Sequence, residues 1–99
     1  MKDFVELLKK LRDKRVRIHF YIPPEAASVT EEGIYSHIGR IEDVDGHILI
    51  IDNRGELAER DVGSLKLYVN LDVAVIFAVE EIKEDYWPKE KGENEEGEA

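Results

Sequence analysis

The spacing of hydrophobic positions changes along this chain, and those changes mark its elements. Phe4, Leu7, Leu8 and Leu11 fall at i, i+3, i+4 and i+7, the single apolar stripe of an amphipathic helix over residues 3–13. Asp3 with Glu6 three residues on has the form of a capping box at its start. The period then drops to two. Val16, Ile18, Phe20 and Ile22 alternate with Arg17, His19 and Tyr21, a strand with one buried face, closed by Pro23-Pro24. Residues 23–33 are expected to form a loop.

Residues 34–44 predict a second strand whose alternation breaks at Gly39. Ile34, Ser36 and Ile38 share one parity and Ile41 has the other. A glycine inside a strand marks a bulge or sharp bend, which is how small barrels curve. Asp45-Gly46 is a tight-turn signal, and His47–Asp52 returns as a third strand, apolar on both faces. Residues 56–64 fit a loop, an edge strand or a helical turn. Leu65–Val69 and Val73–Glu80 read as two further strands around Asn70-Leu71-Asp72. The expected fold class is therefore mainly β: an N-terminal helix, then a five-stranded, strongly bent antiparallel barrel. No helix is available to cover a parallel sheet.

The chain length of 99 residues predicts one domain, here residues 1–82, followed by an acidic and disordered tail over 83–99. Beyond Tyr86-Trp87-Pro88 that tail has no apolar residue larger than alanine, too little to offset its ordering entropy. The aromatic pair itself reads either as an anchor for a protein partner or as a lid folded over the barrel's own open end. The net charge of −9 is unevenly spread: residues 1–20 carry +4 and residues 80–99 carry −6. Abundant Glu and Lys with no Gln resembles the surface of a protein from a hot habitat. The absence of Cys excludes disulfide staples and thiolate zinc sites. The longest apolar run, Val73–Val79, is far too short to span a bilayer, and no secretion signal is visible, so a cytoplasmic location is expected.

The order of elements resembles the Sm-like family of ring-forming RNA-binding barrels. That family places a glycine in the second strand, an apolar residue two later and an aspartate six later; Gly39, Ile41 and Asp45 reproduce this spacing, with Val44 before the aspartate. Tyr68-Val69-Asn70-Leu71-Asp72-Val73 is similar in placement to the family's second motif. The resemblance covers residues 3–82. Where the family's first motif continues to a base-holding asparagine, this chain has a tighter hairpin, His47 as the nearest polar residue, and no Asn before Asn53. Gly39-Arg40-Ile41-Glu42-Asp43-Val44 also resembles the opening of PRC-type barrels.

The resemblance implies a homo-oligomeric ring that contacts single-stranded RNA. Two groups of residues are candidates. Lys9, Lys10, Arg12, Arg15 and Arg17, with Lys14 among them, form a basic segment suited to phosphates, or else a solvated face paired with carboxylates. Asp45, His47, Arg54, Asn70 and Asp72, with Asn53 nearby, have side chains able to bond bases, or simply supply turn chemistry. The alternative function is a protein-interaction scaffold that binds no nucleic acid, reaching its partner through Trp87 or the acidic tail.

Catalysis finds no support: Ser28, Ser36 and Ser64 lie in no nucleophile motif, and no phosphate-binding glycine pattern exists. No cofactor is implied. Asp43-Val44-Asp45-Gly46 falls short of a calcium loop for want of its later ligands. His19, His37 and His47 lack helical metal-ligand spacing, although His37 and His47 are candidates for paired strands.

Overall fold

The computed structural model describes residues 2–24 and 33–87. Helix α1 (Lys2–Lys10) leads into β1 (Arg15–Ile22), β2 (Gly33–Asp45) and β3 (Ile48–Asp52). Helix α2 (Leu57–Val62), β4 (Lys66–Asn70) and β5 (Val75–Glu81) follow. The five strands form one antiparallel sheet in the order β4-β3-β2-β1-β5. It does not close: β4 and β5 are its two edges. The ambiguous stretch 56–64 resolves as α2, stopped by Gly63 in the left-handed region (φ 69°), whose N–H bonds Glu59 O. The expected tail falls outside the described residues from position 88 onward, whereas 83–87 lie against the sheet.

The 13-residue β2 is shared between two partners. Residues 33–40 pair with β1 and residues 40–45 with β3, with an irregularity between Ile41 and Asp43. The crossover falls beside Gly39, where the sequence parity breaks. A Cβ at Gly39 would run into Ile51 Cγ2 and stand 3.2 Å from Asn53 Oδ1. Removing that Cβ lets the end of β3 come close to β2.

The core follows the predicted period. Val16, Ile18 and Phe20 from β1 pack with Ile41, Val44, Leu49, Ile51, Val69 and Ile76. Leu8 of α1 joins them, with Phe4, Val5 and Leu11 partly buried, while Leu7 is 40% exposed. The buried stripe of α1 is therefore rotated toward Val5 relative to the predicted one. Asp13, at φ 69°, ends the helical stretch, and its N–H bonds Ile41 O at 2.8 Å. Aspartate tolerates this left-handed geometry better than most residues.

Beneath α2 lies a polar framework. Asn53, fully buried, stands 2.7 Å from His37 Nε2 through Oδ1 and donates from Nδ2 to Ser64 O. Its backbone N–H bonds Leu65 O and its carbonyl accepts from Glu56 N. Buried Asn53, at the start of the link between β3 and α2, thus has its polar groups paired.

Candidate nucleic-acid interface

The β2–β3 and β4–β5 turns meet at one end of the sheet. Ile48 and Asn70 are register partners, so the turn on each side of that pair lies against the other. Leu71 N donates to His47 O at 2.7 Å, tying the two together. Gly46, at φ 63°, makes the first turn tight. In the second, Asn70 Oδ1 accepts from Asp72 N at 2.9 Å, and Asn70 O accepts from Val73 N and Ala74 N. His47 Nε2 stands 3.9 Å from Asp72 Oδ2, both groups being largely exposed. Four of the candidate turn residues, Asp45, His47, Asn70 and Asp72, therefore share one end of the molecule.

Helix α1 brings cations to the same end. Phe4, Val5 and Leu8 face Leu71, Ala74 and Ile76 across a narrow apolar cleft. Lys9 and Arg12 line a neighbouring depression with Asp43 and Val44, next to Asp45. Arg12 Nε donates to Glu42 O at 3.2 Å. Lys9 and Lys10 are exposed, and among the described residues neither has a carboxylate within ion-pair distance.

The remaining candidates lie elsewhere, each with a partner. Arg54 is at the far end of β3 and makes a bidentate pair with Asp52, Nε to Oδ1 at 2.9 Å and Nη2 to Oδ2 at 2.8 Å. Arg54 holds the Asp52 carboxyl down at about 2, through its side chain first and its backbone N–H second. Arg17 Nη1 bonds Glu80 Oε1 at 3.0 Å, and its guanidinium lies 5.7 Å from the Tyr86 ring centroid. His19 Nε2 reaches the same Glu80 oxygen at 3.0 Å, while its Nδ1 stands 2.7 Å from Ser36 Oγ. His19 and then Arg17 lower the Glu80 carboxyl below its usual range. With Glu80 ionised, the His19 tautomer carrying hydrogen on Nε2 satisfies both contacts, because Nδ1 then accepts from the Ser36 hydroxyl.

Arg15 is buried, its side chain only 3% exposed. Its fork grips Glu56, Nε to Oε2 at 2.6 Å and Nη2 to Oε1 at 2.7 Å, and this hydrogen bonding raises its pKa against the opposing pull of burial. Nη1 donates to Lys83 O at 2.9 Å and to Tyr86 O, and the guanidinium lies 5.5 Å from the Trp87 ring centroid. One side chain thereby joins the start of β1, the residue capping α2 and the segment after β5.

Nothing in the local sequence singles out Glu56 or Glu84 as partners of these arginines. Each lies far from its partner along the chain, 41 positions for Arg15–Glu56 and 44 for Arg40–Glu84. Asn53, which reads as a turn residue from its neighbours, is instead the buried hub beneath α2. The three histidines do not assemble: His37 bonds Asn53, His19 bonds Ser36 and Glu80, and His47 sits in the turn before β3. Among the described residues no group of three or more His, Asp or Glu is placed to hold a metal ion, and no helix is long and apolar enough to cross a membrane. Compared with protein-family models, curated proteins and solved structures, the chain matches none.

Proposed function

We propose that the protein is an RNA-binding, ring-forming scaffold module of the Sm-like kind. The observation that carries this reading is the strand order, which among the described residues leaves β4 and β5 as open edges bearing exposed apolar side chains. Tyr68 is 61% exposed on β4, Val75 and Phe77 are 43% and 51% exposed on β5, and Leu65 and Val73 lie just outside the two strands. Unpaired edges of this kind invite strand addition. When β4 of one copy pairs with β5 of the next, the contact is head-to-tail, and a closing rotation makes a ring without free edges. Each copy then contributes its turn end to the assembly, with Lys9, Lys10 and Arg12 available for phosphates and His47 and Asn70 for bases.

The test is a salt titration of single-stranded RNA binding. Affinity falling with a slope of about −0.7 per phosphate contact is the expected result, weakened by His47→Ala and Asn70→Ala. No binding at low salt overturns the RNA part.

The second reading, a scaffold that binds only protein, is favoured by one observation. Arg15, Arg17 and Arg54 are each occupied by a carboxylate, and the turn end carries Asp45 and Asp72.

A further inference from the structure

Three arginines of the central strands share one masking segment. After β5 the chain turns back, Ile82 N bonding Arg15 O at 3.0 Å and Tyr86 N bonding Lys83 O at 3.2 Å. This strap, residues 82–87, supplies the carbonyls and the Trp87 ring that cover Arg15. It supplies the Glu84 carboxylate to Arg40, whose Nη1 reaches Oε2 at 3.2 Å. It supplies Tyr86 to Arg17, with Nη2 3.4 Å from the hydroxyl and the guanidinium over the ring. Arg15 and Arg40 are register partners on β1 and β2, and Arg17 follows on β1, so the three cations form one cluster under one strap.

The contacts differ in how readily they exchange. Arg15 is gripped by two hydrogen bonds from its fork to Glu56, which is not part of the strap. The Arg40–Glu84 pair is solvent-exposed on both sides, with side chains 42% and 64% exposed, and the Tyr86 hydroxyl contact is long. Exposed pairs of this sort are weak and are screened by salt. A phosphate offers Arg40 the same bidentate geometry as the Glu84 carboxylate, with more charge.

We propose that residues 82–87 act as an intramolecular brake, occupying Arg40 and laying Tyr86 over Arg17, so that RNA must displace the strap to use Arg40. The inference rests on the RNA-binding reading and adds a regulatory element to it. Arg17 keeps Glu80 of β5, which is not part of the strap, and loses only its Tyr86 contacts when the strap moves.

Trp87 is the only tryptophan in the chain and sits on the strap, so its fluorescence reports the strap directly. The experiment measures anisotropy of a labelled oligouridylate with the full chain and with Glu84→Ala and Tyr86→Ala, together with acrylamide quenching of Trp87 in the wild type. The expected result is several-fold tighter binding by each variant at low salt, a salt slope steeper by about 0.7 for every additional phosphate neutralised, and greater quenching of Trp87 as RNA is added. If RNA binds but neither variant tightens and quenching stays constant, the brake is overturned and the RNA reading stands. If neither the wild type nor the variants bind, both fall. Thermal melts of the variants establish that they fold, and the wild-type quenching arm decides the matter alone where one does not.

Discussion

Gly39 sits where β2 passes from one partner strand to the other, and its missing side chain is what lets Ile51 and Asn53 approach. Gly39→Ala is expected to destabilise the fold by about 1–3 kcal/mol, the usual cost of overpacking a tight site, read from the urea midpoint. Arg15→Met leaves the Glu56 carboxylate buried without its partner and should cost about 3–5 kcal/mol. Adding Glu56→Leu removes the orphan, so the double variant should recover most of that loss, a coupling that a double-mutant cycle measures. Asp52 gives a pH signature. Its folded pKa of about 2 lies below the ordinary 3.8, so its pair with Arg54 contributes fully above pH 4. That contribution is lost as pH falls from 4 toward 2, because the unfolded chain takes up the proton first. Asp52→Asn should remove this part of the acid slope in thermal melts recorded across that window.

Elements are legible in the sequence where period and parity are strong. The alternation of Val16, Ile18 and Phe20 with Arg17, His19 and Tyr21 marks β1, and the parity break at Gly39 locates the crossover in β2. Residues 56–64 show no period, because α2 has six residues and no buried side chain to impose one. The site divides along the same line. The convergence of Asp45–His47 with Asn70–Asp72 follows from two tight turns on adjacent strands. Arg15 cannot be distinguished from Lys14 or Arg17 by sequence, since its burial depends on Glu56 and on the strap, both distant in the chain. At this scale Tyr68→Lys on β4 and Phe77→Lys on β5 should each abolish self-association while leaving the circular dichroism spectrum and melting transition of a folded chain. An added lysine blunts an open edge without touching the core.

The molecule as a whole is an unfinished sheet. Among the described residues β4 and β5 remain as two edges bearing apolar side chains, and the turn end with Lys9 and Arg12 gains multiplicity only if copies assemble. Its net charge of −9 opposes non-specific binding of polyanions, so any nucleic-acid contact depends on local cations rather than on the overall field. The proposed brake adds a second level of control, the strap holding Arg40 through Glu84 until a competitor takes it. The proposed self-association through β4 and β5 is the central claim, and native mass spectrometry of the wild-type chain decides it. The expected spectrum shows a closed assembly at a multiple of 11.4 kDa that Tyr68→Lys and Phe77→Lys dissolve. A single species at 11.4 kDa across the micromolar range would contradict it.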